Sequence, residues 1–233
     1  MGTRARGAVM EERPILFSAP MVRAILAKKK TQTRRLVTVP WKGSSRALPY
    51  EPYWVDTDGN LFACDEYGDY HRAEDVLRPF GGAGDRLWVR ETWTPAFRTN
   101  DCGVLFKADR NYLATGAEVP PVRGPLFNAN MALAGDEMGL KWRPSIFMPR
   151  WASRITLDVV SVRIERLQDI GEEDIAREGV TREVAAAMCG IETPTWWSEH
   201  DAFRNGWDAI NGKRATWASN PWVHVVAFKE MAG

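Results

Sequence analysis

The residues of this chain that are best suited to chemistry lie between Lys28 and Arg35. This stretch holds five cations and two threonines within eight residues. No acidic residue occurs between Glu12 and Glu51, so no neighbour along the chain neutralises the cluster. Cations and hydroxyls packed this densely at a helix end favour one wall of a binding site for an anionic ligand. The alternative is a solvated basic helix end without a ligand.

Short predicted elements position this cluster. Residues 14–17 form an apolar run that predicts a strand, and Ser18-Ala19-Pro20 is typical of a helix start. Apolar residues then recur at helical spacing, which predicts a helix over 20–28. Residues 31–36 alternate and contain β-branched side chains, so we expect an extended segment with Thr33 and Arg35 on one side and Arg34 on the other.

Further strands and helices follow along the chain. We expect strands within 84–93, 155–167 (broken near Ser161) and 222–228, and helices over 171–180, 181–189 and 196–210. Strands separated by short helices predict an α+β fold, a small mixed β-barrel flanked by short helices. Residues 1–12 are expected to be a disordered tail, and 13–233 a single domain. Two loop-rich insertions are expected at about 37–83 and 95–141, the first with a hairpin at 54–62 around Asp58-Gly59.

Composition excludes several classes of protein. The chain has 233 residues and no apolar run of about 18 residues, so no membrane partner is expected. The N-terminus lacks the apolar region of a signal peptide, and three scattered cysteines favour reduced thiols in the cytoplasm. Neither the cysteines nor the three histidines have metal-ligand spacing, so we expect no metal and no cofactor. The oligomeric state is open.

The charge is segregated although the net charge is only +1. Residues 1–50 carry 11 Lys and Arg against 2 Asp and Glu, whereas residues 51–100 carry 5 against 10. A basic patch beside an acidic flank attracts phosphates and nucleic acid. The charge pattern therefore favours RNA or DNA as a partner.

Several segments together resemble the ASCH domain, a family of the PUA-like superfamily of small β-barrels. They are Lys30 to Arg35, Gly84 to Glu91, Leu167 to Ile170 with Glu172 to Val180, and Pro221 to Lys229. The order of the motifs and the eleven tryptophans are most similar to the long form found in bacteriophages and prophages. The resemblance covers about a third of the chain and implies a cytoplasmic protein of an infected or lysogenic bacterial cell. The chain departs from the pattern at Lys28, where relatives often have Gly, and at Phe147, where the long forms often have His.

The resemblance implies an amidohydrolase that removes an acyl group from N4-acetylcytidine, with Lys30, Thr33 and Glu178 as catalytic residues. Lys30 would take the proton of Thr33, the nucleophile, which requires a lowered lysine pKa. Glu178 would orient Lys30 or pass a proton to the leaving amine. Alternatively, Lys30 and Thr33 bind phosphate without turnover, and Glu178 pairs with Arg177 or Arg182 on the surface. The partner that the resemblance implies is a modified pyrimidine nucleoside, RNA or DNA. The other functions that the family suggests are a non-catalytic reader of RNA or modified bases and a ribonuclease.

The remaining site candidates would bind the ligand. Arginine side chains can hold a phosphate or a base edge through two parallel hydrogen bonds. Aromatic rings can stack on a base, and a carboxylate can accept from an exocyclic amine. The alternative roles are packing for the tryptophans and an ion pair for the glutamate. The candidates are Arg34, Arg35, Trp88, Arg90, Glu91, Trp93 and Trp151.

Overall fold

Twelve strands and four α-helices make up the part of the chain that the computed structural model describes, residues 10–37, 53–55, 61–64, 70–73, 78–98, 101–116, 127–128 and 141–231. The strands are β1 (Glu12–Leu16), β2 (Gln32–Leu36), β3 (Tyr53–Val55), β4 (Leu61–Cys64), β5 (Tyr70–Arg72), β6 (Arg86–Arg90), β7 (Trp93–Arg98), β8 (Asp101–Phe106), β9 (Tyr112–Gly116), β10 (Phe127–Asn128), β11 (Thr156–Arg166) and β12 (Trp222–Glu230). The helices are α1 (Ala19–Leu26), α2 (Glu172–Glu178), α3 (Arg182–Cys189) and α4 (Glu199–Asn211). Short 3₁₀ helices cover Ser145–Phe147, Arg150–Ala152, Leu167–Asp169 and Trp217–Ser219.

The central sheet has five strands in the order β1-β6-β11-β12-β2. β1 pairs with β6 in parallel, and the other pairs are antiparallel. β1 and β2 are the two edges, and they do not pair with each other in the described part of the chain, so the sheet is not a closed barrel. The predicted α+β class is confirmed. The predicted closure is not observed, because the edges are joined only through a side chain, Arg35, whose Nη2 donates to the backbone oxygen of Leu16.

One hydrophobic core joins this sheet to all four helices. α1 buries Met21, Val22, Ala24 and Ile25, and the helical spacing of Met21, Ala24 and Ile25 is the pattern that predicted this helix. α4 buries Phe203 and Trp207 in the same core. The break predicted near Ser161 is a bulge inside a continuous strand, because β11 runs from Thr156 to Arg166 and its register with β12 shifts between Val159 and Ser161.

The regions predicted to be loop-rich insertions contain further sheets. In the first, β3, β4 and β5 form an antiparallel sheet, and the pairing of Val55 with Leu61 confirms the predicted hairpin, although its turn at 56–60 lies outside the described residues. In the second, the strands have the order β10-β7-β8-β9, so the prediction of loops over 95–141 was wrong for its first half. Pro95 and Gly103 lie inside β7 and β8, and such breaker residues concealed the alternation that marks a strand.

The ends of the predicted domain need one adjustment. Glu12 already belongs to β1, whereas the tail was predicted to extend to this residue. The rest of that tail, residues 1–9, lies outside the described part of the chain. None of the helices among the described residues has the length and apolar character needed to cross a bilayer.

Candidate functional site

A cavity of 360 Å³ lies between the two edges of the central sheet. The end of β1 and the following turn form one side, β2 forms another, and α4 closes it with Phe203 and Trp207. All three residues predicted to be catalytic line this cavity: Lys30, Thr33 and Glu178. Its volume falls within the range of small-molecule binding sites.

Lys30 and Glu178 form a buried ion pair at the cavity wall. Lys30 Nζ donates to Glu178 Oε2 at 2.9 Å and to the Glu178 backbone oxygen at 2.7 Å. Their side chains are only 2% and 4% exposed. Because an ammonium group has three donors, these two bonds leave one direction of Nζ for a further partner. Glu178 therefore does not occupy the surface position that was its alternative interpretation.

Backbone contacts fix Lys30 where two helices end. The Lys30 amide donates to Ala24 O of α1, and the next amide, that of Thr31, donates to Arg177 O of α2. Gly179 ends α2 in the left-handed conformation, with φ of 65°. A Cβ atom at this position would lie 2.8 Å from Lys30 Cβ. Both the backbone conformation and the close approach to Lys30 therefore require glycine after Glu178.

Thr33 lies in the middle of β2, in register with Val226 of β12. Its side chain is 4% exposed and reaches the same cavity as Lys30. Thr33 lines this cavity together with Arg34 and Arg35 of the same edge strand. The hydroxyl is thus placed where a bound small molecule could meet it.

Arg34 is held by three carboxylates, although the sequence predicted a ligand contact. Its Nη1 donates to Glu178 Oε1 at 3.1 Å, and its Nη2 donates to Glu165 at 2.5 Å and to Asp174 at 2.8 Å. Arg163 adds a second cation on Glu165 and Asp174. Arg34 lines the cavity, but its charge is compensated, and its clearest effect is to orient Glu178.

Burial controls the protonation of Lys30. Desolvation lowers the Lys30 pKa below its ordinary value, and the opposing attraction of Glu178 only partly offsets this effect. Arg35 and Arg34 lower the pKa slightly further. Lys28 and Lys29, which were expected to help, are exposed. The direction of the shift is the one that a lysine base needs.

Arg35 lines the cavity beside the aromatic ring of Phe17. Its guanidinium carbon lies 5.0 Å from the ring centroid, and its hydrogen-bond acceptor, Leu16 O, is a neutral carbonyl. Burial lowers the Arg35 pKa, while the field of Glu178 opposes this change. In the described part of the chain, Arg35 makes no ion pair with a carboxylate.

Trp88 and Arg90 lie next to the cavity rather than in its wall. Arg90 stacks on the Trp88 ring, with its guanidinium carbon 4.6 Å from the centroid. Arg150 approaches the same ring at 5.9 Å and is paired with Glu12 at 2.8 Å. Trp88 is 7% exposed, so the two arginines cover it. Its ring is not available for stacking on a base in this arrangement.

Three other candidates lie in a separate cluster. Glu91 is 1% exposed, and its two oxygens accept from Arg154 at 2.9 and 3.0 Å. Trp93 is also 1% exposed and packs edge-on against Trp151, with ring centroids 6.0 Å apart. The structure therefore gives Glu91 the ion pair, and Trp93 and Trp151 the packing roles, that were their alternative interpretations.

Sequence reasoning missed much of the cavity wall. α4 was predicted only as a helix, yet its inner face supplies Phe203, Gly206, Trp207 and Ile210. Thr92 and Ser145 complete the polar lining from two distant parts of the chain. The regular spacing of Phe203, Trp207 and Ile210 was the available signal, but such spacing is equally typical of a core-facing helix.

A second cavity of 750 Å³ lies between α2 and the start of α4. It is larger, but its lining includes none of the predicted site residues, and Ile170, Ile175 and Val180 make much of it apolar. The smaller cavity is the better candidate because it combines a buried ion pair with a buried hydroxyl. Among the described residues no group of His, Cys, Asp or Glu is arranged to hold a metal ion.

The fold and site define an α+β protein with a buried lysine–glutamate–arginine cluster that opens into a ligand-sized cavity. No family model, no curated protein and no solved structure matches the chain. Arguments about function therefore depend on the chemistry of this cavity.

Proposed function

We propose that this protein hydrolyses the N4-acyl group of a modified cytidine, with Lys30, Thr33 and Glu178 as the catalytic residues. The observation that carries the proposal is their convergence on one cavity of 360 Å³, with the lysine amine held by the glutamate. A hydroxyl, an amine of lowered pKa and a carboxylate are sufficient for hydrolysis of an amide without a metal.

The proposed reaction has two steps. In the first, neutral Lys30 takes the proton of Thr33 Oγ1, which attacks the acyl carbon. The resulting Lys30 ammonium lies beside the oxyanion and stabilises it. The bond between the acyl carbon and N4 then breaks, and the ammonium returns its proton to the amine that leaves. In the second step, water gives a proton to neutral Lys30 and its oxygen attacks the acyl carbon of the ester. The bond between that carbon and Thr33 Oγ1 then breaks, Lys30 returns the proton to Oγ1, and the carboxylic acid leaves.

Glu178 has a positioning role in this reaction. Its contacts with Lys30 Nζ restrict the direction in which the amine can accept a proton. Its attraction for the charged amine works against deprotonation, but burial outweighs that attraction in the Lys30 pKa. The pair thus holds an amine whose pKa lies below that of an ordinary lysine, which favours a group that both gives and receives a proton.

Release of acetate from N4-acetylcytidine tests the proposal. Thr33→Ala should lose turnover by at least about 100-fold, because no other hydroxyl replaces the nucleophile. Thr33→Ser should keep part of the activity, since it keeps the hydroxyl. Thr31→Ala is a matched control on the exposed residue two positions earlier and should keep full activity. Unchanged turnover in Thr33→Ala, with unfolding like that of the unsubstituted protein, would refute the assignment.

A second candidate is a non-catalytic reader of RNA or a modified base. It is favoured by the ion pair between Lys30 and Glu178, which is the arrangement of a charged lysine and not of a free base. In this case Lys30→Ala would weaken binding of an N4-acetylcytidine-containing RNA, and no acetate would appear with any variant. Binding would also weaken steeply with salt. No histidine lines the cavity in the described part of the chain, so no observation favours a ribonuclease.

We also infer that the open sheet is a divergent PUA-like barrel of the ASCH family and that the protein acts in the cytoplasm. The Arg35 bond to Leu16 O supports the inference about the fold, because it links the two strands whose pairing would close such a barrel. The cavity then occupies the gap between them. A crystal structure in which β1 or β2 pairs at this gap with a strand other than its counterpart would argue against the relationship.

A further inference from the structure

Two arginines contact the end of β1 at the rim of the cavity, Arg35 through its side chain and Arg90 through its backbone. Arg35 donates to Leu16 O, and the Phe17 amide donates to Arg90 O at 3.1 Å. Leu16 and Arg90 are in register in the parallel pair of β1 and β6, so their side chains lie on the same face of the sheet. Leu16 lines the cavity and is 40% exposed, which places Arg90 beside the opening.

Neither arginine is neutralised by a carboxylate of the described residues. The neighbouring cations differ in this respect: Arg34 contacts three carboxylates, and Arg150 contacts Glu12. The Nε atoms of Arg35 and Arg90 are both buried without a hydrogen-bond acceptor. The outer Nη atoms are the ones that a ligand could reach. Among the described residues their one hydrogen bond is that from Arg35 to Leu16 O, so phosphate oxygens would satisfy the remaining donors.

We propose that Arg35 and Arg90 bind a phosphate group of the substrate, so that the cavity takes a phosphorylated nucleoside. This proposal rests on the proposed function, since it assumes that the base enters beside Lys30 and Thr33. The guanidinium groups have the planar donor arrangement that suits phosphate oxygens. The phosphate belongs either to a free nucleotide or to the backbone of a strand, and both offer the same chemistry to the two arginines.

The test compares kcat/KM for three substrates: N4-acetylcytidine, its 5′-monophosphate and a short RNA with one N4-acetylcytidine. We expect phosphate to raise kcat/KM about 10- to 100-fold, the gain typical of one or two charge-assisted hydrogen bonds. A gain with the monophosphate identifies a nucleotide, and a gain with the RNA alone identifies a strand. Equal values for all three substrates would overturn the proposal and leave the hydrolysis itself intact.

Substitutions then assign the effect to the arginines. Arg35→Gln or Arg90→Gln should lower the preference for phosphate about tenfold, and Arg90→Lys should lower it less because the charge remains. Arg150→Gln is the matched control: it removes an arginine from the same Trp88 ring, but one that is already paired with Glu12. A preference that survives in both glutamine variants would refute the assignment, as would an equal loss in Arg150→Gln.

Binding measurements separate this proposal from the proposed function. If none of the three substrates releases acetate, hydrolysis is refuted. Their dissociation constants, measured by calorimetry with the same variants, then decide whether the arginines bind phosphate. The predicted preference of about 10- to 100-fold applies equally to affinity. Equal affinity for the nucleoside and both phosphorylated ligands would refute the phosphate site.

Discussion

Replacement of Glu178 by glutamine tests whether the ion cluster at the cavity is as tightly coupled as its geometry indicates. Glutamine keeps the size of the side chain but removes the charge that faces Lys30 at 2.9 Å and Arg34 at 3.1 Å. The Lys30 side chain is 2% exposed, so water cannot replace the lost partner. Breaking a buried pair in this way costs about 3–5 kcal/mol. The backbone oxygen of Glu178 still accepts from Lys30, which places the expected loss near 3 kcal/mol.

Urea unfolding followed by tryptophan fluorescence measures this loss, provided that the slope with urea is unchanged. The matched control is Glu173→Gln on the same helix, whose carboxylate is 85% exposed and pairs with Arg177. It should have almost no effect, because exposed pairs contribute little. The double variant Lys30→Met with Glu178→Gln should be more stable than the sum of the single losses predicts, since no uncompensated charge is left.

The pH dependence provides a second check on the same variant. Without Glu178, burial lowers the Lys30 pKa further below the 10.5 of a free lysine. The Lys30 pKa is also lowered in the unsubstituted protein, but in Glu178→Gln the folded state loses this proton at a lower pH, so between the two folded-state pKa values the stability of the variant rises more with pH. The deficit of Glu178→Gln should therefore be smaller at pH 9 than at pH 7. A loss of stability below about 1 kcal/mol in Glu178→Gln would contradict the description of the cluster. So would a double variant whose loss equals the sum of the losses of Lys30→Met and Glu178→Gln.

Two further predictions concern residues around the site. Burial lowers the pKa of His224 from 6.5 to about 4, so the stability that the neutral ring provides is complete above pH 6.5 and is lost as pH falls towards 4. The loss is about 3 kcal/mol, and urea unfolding at several pH values should find it in the unsubstituted protein but not in His224→Leu. Lys28 has φ of 57°, and Lys28→Gly should stabilise the fold by about 1 kcal/mol in thermal unfolding, whereas Lys29→Gly, at an ordinary φ, should destabilise it.

The local elements at the site could be predicted from the sequence because their signals are local. The helix before Lys28 and the extended segment after it follow from apolar spacing and from the Ser18-Ala19-Pro20 start. The contact between Lys30 and Glu178 spans 148 residues, and no local pattern specifies it. The acidic first turn of α2 even favoured an exposed helix. Only the family resemblance pointed to Glu178, and the structure supplies the contact that makes it meaningful.

The ligand-binding candidates show why residue type alone is a poor guide to a site. Trp93 and Trp151 have the rings that a base would need, but both pack around Met148 in a separate cluster. Glu91 and Arg154 are 63 residues apart, and their bidentate contact occupies both oxygens of Glu91, which was the candidate ligand contact. Burial and partners, which depend on tertiary structure, decided these roles. Arg35, by contrast, lies on an edge strand and lines the cavity without a carboxylate partner among the described residues.

The position of Arg34 bears directly on whether Lys30 can act as a base. A lysine that gives up its proton beside a buried glutamate would leave that carboxylate without compensation, which is costly. Here Glu178 Oε1 stays bonded to Arg34 whatever the state of Lys30, and Arg34 is itself anchored by Glu165 and Asp174. Glu178 can therefore remain charged and in place while Lys30 loses and regains a proton. A simple phosphate-binding lysine would gain nothing from such an arrangement, so the second cation on Glu178 argues for proton transfer at this site.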